Sequence, residues 1–181
     1  ASKSFMKMLD NSDFRSILEE LLDFGITRYK ENYSVHYQDT DLVLYQKYTY
    51  EDACRLLNWE RNEVPWNFGG YKYDTITKTF PIFINYDKQD DISDRTKYED
   101  HFVSASRLIA ISKSGRSVDS EDVQNFLKAR ERGIDVHLFV RKNKDDKISK
   151  EFYYLGRVIA TGNKKEFIMP NTDKTAVEIE W

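Results

Sequence analysis

The chain has 181 residues, 40% of them hydrophobic, 33% charged and 14% aromatic, with a formal net charge of -3. This suits one domain with a solid core and a solvated surface, and seven Gly with three Pro exclude a collagen-like or low-complexity chain. The single cysteine, Cys54, excludes an internal disulfide framework and fits a reducing, cytoplasmic compartment, while no apolar run reaches the roughly 18 residues of a membrane helix.

The chain starts on Ala1, shows no signal-peptide pattern and enters almost at once into a helical pattern, as expected of a segment of a longer polypeptide. Residues 3–30 read as helix, because Phe5, Leu9, Phe14, Ile17, Leu18, Leu21, Leu22 and Ile26 recur at three- and four-residue spacing. Gly25 ends or interrupts it. A polar stretch, residues 29–41, separates this lead from the rest of the chain. Thr49 then caps a short helix whose buried side is Ala53, Leu56 and Leu57, with Asp52 at its third position.

From residue 66 the texture changes to strands and turns. Tyr71, Tyr73 and Ile76 alternate with polar residues. In residues 79–86 both alternating sets are apolar, so this strand is expected to be covered on both faces. Residues 87–97 read as a charged loop. Further strands are predicted at 107–112, 136–140, 152–160, 166–169 and 176–181, with a helix at 120–132 capped by Ser120. The fold class is therefore α+β, with a curved, barrel-like mixed sheet flanked by helices and preceded by a helical lead. Residues 1–41 form the lead and 42–181 the sheet domain.

Catalytic signatures are missing. There is no Gly-rich phosphate loop, so ATP hydrolysis is not expected. His36, His101 and His137 stand far apart with no paired cysteines, which argues against a zinc site. No serine sits in a nucleophile elbow. Asp87-Lys88 with Asp90 and Asp91 imitates a nuclease cluster but reads more simply as a loop. No catalytic residue, metal or cofactor is expected in this chain.

Three features carry binding chemistry. Trp66, Phe68, Tyr71 and Tyr73 place four aromatics within eight residues around Gly69-Gly70, followed by Asp74. Flat rings stack on nucleobases, while glycines admit close backbone approach. Asp100, inside Tyr98-Glu99-Asp100-His101-Phe102, offers an acceptor to an exocyclic amine. Ser112, Lys113, Ser114 and Arg116 follow a strand and offer hydroxyls, N–H groups around Gly115 and two cations, suitable for phosphate; Arg141, Lys142, Lys144 and Lys147 extend that basic track. Charge points the same way, since residues 105–165 hold 14 Lys/Arg against 8 Asp/Glu, a net of +6.

These features resemble, in order, the C-terminal domain of SauUSI-type, ATP-dependent type IV restriction enzymes, which attack DNA carrying modified cytosine. The matching segments are Leu44-Tyr45-Gln46-Lys47-Tyr48; Leu56, Leu57 and Trp59; Gly69-Gly70-Tyr71; Pro81-Ile82-Phe83; Tyr98 to Phe102; Ser112-Lys113-Ser114; Leu138-Phe139-Val140-Arg141; and Phe152-Tyr153-Tyr154-Leu155-Gly156. Related domains often carry Trp where this chain has Ile111. The resemblance implies an SRA/PUA-like target-recognition domain that takes 5-methylcytosine or 5-hydroxymethylcytosine out of duplex DNA. The base pocket would be Trp66, Phe68, Tyr71 and Tyr73, with Asp100 or Asp74 on the N4 amine. Nuclease and helicase domains of the same polypeptide would lie outside this fragment, joined through residues 1–41, and no membrane is involved. The alternatives are a protein-interaction or regulatory module of a helicase without base readout, and an RNA-binding PUA-like domain.

Overall fold

The structure is a computed structural model and describes residues 1–61, 68–86, 100–142, 150–170 and 172–181. The helical lead is two helices, α1 (Lys3–Met8) and α2 (Ser12–Asn32). Ser2 and Asn11 cap them by accepting from the N–H groups of Phe5 and Phe14, so the second cap breaks the predicted single helix at residues 9–11. Neither helix buries a residue. Of the apolar stripe recognised in the sequence, Phe5, Leu9, Phe14 and Leu18 are half-buried, Phe5 and Phe14 edge to face on each other, while Ile17, Leu21, Leu22 and Ile26 are exposed.

The remainder is a mixed α+β domain whose strands curl into a half-barrel, as the patterning implied. One four-stranded sheet has the order β1-β6-β5-β2, from β1 (Lys47–Tyr48), β2 (Thr79–Asn85), β5 (Asp135–Arg141) and β6 (Phe152–Arg157). Strands β2 and β5 are parallel, pairing Thr79 with Asp135 through Asn85 with Arg141; the other pairs in this sheet are antiparallel. The second sheet, order β3-β4-β8-β7, is antiparallel: β3 (His101–Ser104), β4 (Arg107–Ile111), β7 (Lys164–Ile168) and β8 (Thr175–Glu180). Helix α3 (Tyr50–Leu56) follows β1, and α4 (Glu121–Leu127) with α5 (Ala129–Arg132) precedes β5. Thr49 caps α3 as predicted, its hydroxyl accepting from the Asp52 N–H and donating to the Asp52 carboxylate. Ser120 stands at the start of α4 but makes no capping bond; its hydroxyl accepts instead from the Ser117 N–H at 2.9 Å.

Strand β2 explains how the core is divided. Its first six residues are all buried. Phe80, Ile82 and Ile84 point to one side, where they meet Val136, Leu138 and Val140 of β5, Leu108 of β4, Val177 and Ile179 of β8, and Val123 and Phe126 of α4. Phe83 points to the other side and joins Phe139, Phe152 and Tyr154 beneath α3, with Leu42, Tyr48, Trp59 and Phe68. The alternation of a strand sends i and i+2 to one face, so two apolar parities require two cores. The region of 71–76, predicted as a strand, is a hairpin lead joined to β2 by two isolated bridges, Tyr71 with Ile82 and Asp74 with Thr79. The predicted helix 120–132 is interrupted at Lys128. Strands β1 and β3 carry no periodic signal in the sequence: the first has two residues, and all four of the second are exposed.

Candidate functional site

At the mouth of the first core, between the two sheets, lies a partly open cavity of about 120 Å³. Its walls bring together residues far apart in sequence. Gly69, Gly70 and Tyr71 come from the hairpin lead, Ile82 and Ile84 from β2, and Ala110 and Ile111 from β4. Asp100 stands before β3, Ser112 and Lys113 follow β4, and Phe126 and Trp181 close the floor. A cavity of roughly 150 Å³ holds a benzene ring. This one, partly open to solvent, is on the scale of a single six-membered ring.

Tyr71 is the fixed point of this pocket. Its ring is buried and meets Phe80 and Phe126 edge to face, at 5.7 and 4.9 Å between centroids. Its hydroxyl donates to Asp122 Oδ2 at 2.8 Å and accepts from the Lys113 N–H at 3.0 Å. Arg116 Nε donates to the same Asp122 oxygen at 2.7 Å. Burial pushes the Tyr71 phenol above its ordinary range, so it stays protonated and donating. Burial alone would raise the Asp122 carboxyl, but the bonds from Arg116 and Tyr71 outweigh it and hold the group ionised. The Tyr71 ring is thus locked before any ligand arrives.

Asp100 also lines the pocket, and its Oδ1 accepts from the Ile111 N–H at 2.8 Å, which fixes the carboxylate against β4. Gly69 and Gly70 have φ of +58° and +88°, in the left-handed region where a side chain is strained. Their backbone forms the pocket lip because it carries no side chain there.

The remaining expected site residues fall in different places. Trp66 lies outside the described residues, as do Lys144, Lys147 and the Asp87 to Asp91 cluster. Phe68 is fully buried in the second core, stacked 6.1 Å from Trp59 and edge to face with Phe83, and its carbonyl accepts from Lys113 Nζ at 3.1 Å. Tyr73 leans on Phe80 at 5.4 Å and lines a separate surface cleft with Arg116, Asp122 and Asn125. Asp74 is occupied within its own turn, accepting from the N–H and hydroxyl of Thr77 at 2.8 Å each. Of the six residues expected at a base, the structure brings Tyr71 and Asp100 to one cavity.

The loop expected to hold phosphate is largely engaged within the fold. Ser112 is buried, and its hydroxyl accepts from the Val177 N–H at 2.8 Å. The N–H groups of Gly115 and Arg116, expected to be available for an anion, both donate to the Thr175 carbonyl. The loop is laced to β8, which leaves Ser114 exposed at its tip. Lys113 lies over the Tyr71 ring, 4.5 Å from the centroid, and Arg116 is spoken for by Asp122. Arg141 donates to Asn85 Oδ1 at 2.7 Å and covers the Phe152 ring, while Lys142 is exposed at the end of β5.

Two contributors escaped the sequence reading. Asp122 anchors Tyr71 from 51 residues away. Trp181 packs edge to face on Phe126, and its buried indole Nε1 has no acceptor among the described residues. The alternation of Val177, Ile179 and Trp181 along the last strand is the signal that places this ring on the core face. Among the described residues no cluster of three or more metal-binding side chains occurs, and no helix is long and apolar enough to cross a membrane.

Solved structures with a similar course include the SUVH5 SRA in complex with fully methylated CG DNA, which is 12% identical, with 77% of this chain and 87% of that chain covered at a TM-score of 0.46. KRYPTONITE in complex with mCHG DNA and SAH is 9% identical over 87% of this chain and 36% of that one, at 0.48. Arabidopsis thaliana SUVH6 in complex with SAM is 12% identical over 85% and 30%, also at 0.48. No curated protein matches the chain. The family described as "Domain of unknown function (DUF3427)" matches residues 42–181, a span that holds both sheets, both cores and every wall of the cavity, and the chain belongs to that family.

Proposed function

We propose that this chain reads modified cytosine in duplex DNA by accepting the extruded base into the cavity between the two sheets. The observation that carries this reading is the pocket itself: a partly open space on the scale of one ring, walled by a locked tyrosine, a carboxylate and two glycines. Extrusion of a base costs a few kcal/mol, and stacking on an aromatic is worth about 1–3 kcal/mol, so edge hydrogen bonds must supply the rest. Asp100 accepts from the N4 amine. Ile82, Ile84, Ala110 and Ile111 form the apolar niche for a 5-methyl group. Burial of one methyl contributes about 0.8 kcal/mol, or about a fourfold preference. Stronger discrimination then comes from the void that an unmethylated base leaves in a close-fitting space.

In this reading residues 42–181 are the target-recognition domain of an ATP-dependent type IV restriction enzyme of SauUSI type. Residues 1–41 are the connector to a preceding helicase region in a cytoplasmic protein. Nuclease and motor activities belong to other parts of that polypeptide. A second reading, a protein-docking module of a helicase, is favoured by the exposed apolar side of α2.

Titration with matched methylated and unmethylated duplexes at two salt concentrations separates the two. Base reading requires tighter binding to the methylated duplex at both concentrations, and a 2-aminopurine beside the modified base should brighten as the stack opens. Equal affinity for both duplexes would favour the docking module. Intact methyl preference with an unchanged reporter would mean readout from the major groove, where the methyl is also exposed.

A further inference from the structure

The ammonium of Lys113 lies inside the pocket and not on the phosphate surface. Its Nζ is 3.1 Å from the Phe68 carbonyl and 4.5 Å from the centroid of the Tyr71 ring. The side chain passes across Gly69, where an added Cβ would stand 3.4 Å from Cε and 3.5 Å from Nζ. Burial draws its proton affinity down, with Asp122 acting against that and Arg116 and Lys72 adding to it. Two features of this placement matter. The cation covers a face of the ring on which a base would stack, so an entering ring displaces it. Its stem is flexible and its ammonium carries three rotatable donors, one of which now serves the Phe68 carbonyl, so it can swing to a new acceptor.

We propose that Lys113 is the specificity-determining donor of the pocket, moving from the Tyr71 face to the N3 and O2 acceptors of an inserted cytosine while Asp100 takes the N4 amine. This rests on the base-reading function proposed above. A wall with one acceptor, Asp100, and one strong donor, Lys113, complements cytosine, whose pairing edge carries a donor amine beside two acceptors. Thymine has the same ring and the same 5-methyl group but presents an acceptor at position 4, which sets two acceptors against each other at Asp100. Uncharged apolar walls cannot make that distinction, because the two bases have nearly the same shape. A hydrogen bond from a charged donor is among the stronger kinds, and its loss from a ligand weakens binding about tenfold to a hundredfold.

The test uses the 181-residue chain and three duplexes that differ at one position: 5-methylcytosine, cytosine or thymine, each opposite guanine. Binding is measured at two salt concentrations. For the unaltered protein the expected order places 5-methylcytosine first; equal affinity for 5-methylcytosine and cytosine would overturn the base-reading function and this inference with it. Given that preference, Lys113→Met should lose about tenfold to a hundredfold toward 5-methylcytosine. The ratio of 5-methylcytosine to thymine affinity should fall toward unity, with the salt slope unchanged. Lys113→Gln keeps a neutral donor and should retain most of that ratio. A uniform weakening on all three duplexes in both variants, with a salt slope smaller by about one, would make Lys113 a phosphate contact and overturn the inference alone. Unchanged binding in Lys113→Met would overturn it too. Should the Met variant fail to fold, Lys113→Ala takes its place, with the same losses expected and the same results overturning the inference.

Discussion

The two cores on either side of β2 are built from similar residues and do different things. Phe68 and Tyr71 stand three positions apart in one aromatic run. Phe68 enters the core beneath α3, where it meets Trp59, Tyr50 and Phe83 and is fully buried. Tyr71 enters the core between the sheets and borders a cavity. The difference lies in one oxygen. A phenyl ring has only packing to satisfy, so it goes where packing is densest. A buried phenol must also find partners, and those of Tyr71, Asp122 and the Lys113 backbone, hold the ring at the edge of its core. Polar wiring keeps the core between the sheets from closing over its own mouth.

The largest effect expected from breaking this comparison is in the closed core. Phe139 is fully buried and stacks on Phe83 at 4.6 Å. Phe139→Ala should cost about 3–5 kcal/mol of stability, read from urea unfolding, while the methyl preference of the folded fraction is unchanged. A lost preference would tie the closed core to the site.

Next in size is a pH effect on the same side. His137 is fully buried, and its Nδ1 is 2.9 Å from the Tyr154 hydroxyl. Burial, with help from Arg157 and against the pull of Asp39, brings its pKa from 6.5 down to about 4. Above pH of about 6.5 the residue is neutral both folded and unfolded and contributes no pH dependence. Between the two values the unfolded chain takes a proton that the folded chain refuses. Stability should therefore fall as pH drops from about 6.5 to about 4, by on the order of 3 kcal/mol, and level off below. Unfolding midpoints measured across that window check it, and His137→Gln should flatten the dependence.

The smallest effect on stability belongs to the wired core. Tyr71→Phe keeps the ring but leaves the Lys113 N–H without its acceptor, at a cost of about 1–3 kcal/mol. Tyr71→Ala removes the stacking face as well. It should abolish methyl-specific binding while sparing weak, salt-sensitive binding to any duplex. Equal methyl preference in Tyr71→Ala and the unaltered chain would remove this ring from the site.

Much of the architecture was legible along the chain because it rests on local periodicity. The double apolar parity of residues 79–86 announced a strand with two covered faces, and Thr49 announced a helix start. Side-chain chemistry, aromatics around two glycines and a carboxylate beside aromatics, nominated Tyr71 and Asp100, the two residues expected at a base that do reach the cavity. It did not separate Tyr71 from Phe68, since the run alternates aromatics without stating which core each will join. It also assigned Lys113 and Arg116 to an anion on the strength of their neighbours, because nothing in Ser112 to Ser117 reports that Thr175 and Asp122 engage the loop.

The class of the fold, the positions of most of its strands along the chain and the kinds of side chain available to a site were all set by the linear order of residues. The tertiary structure alone decided that the helical lead leaves Ile17, Leu21, Leu22 and Ile26 of its apolar stripe exposed, that Trp181 closes the floor of a pocket, and that the Lys113 ammonium lies over Tyr71. The physical reason is range. Helix and strand periodicity is written in residues two to four apart, whereas the bonds that shape the cavity join Tyr71 to Asp122 across 51 positions and Phe68 to Lys113 across 45.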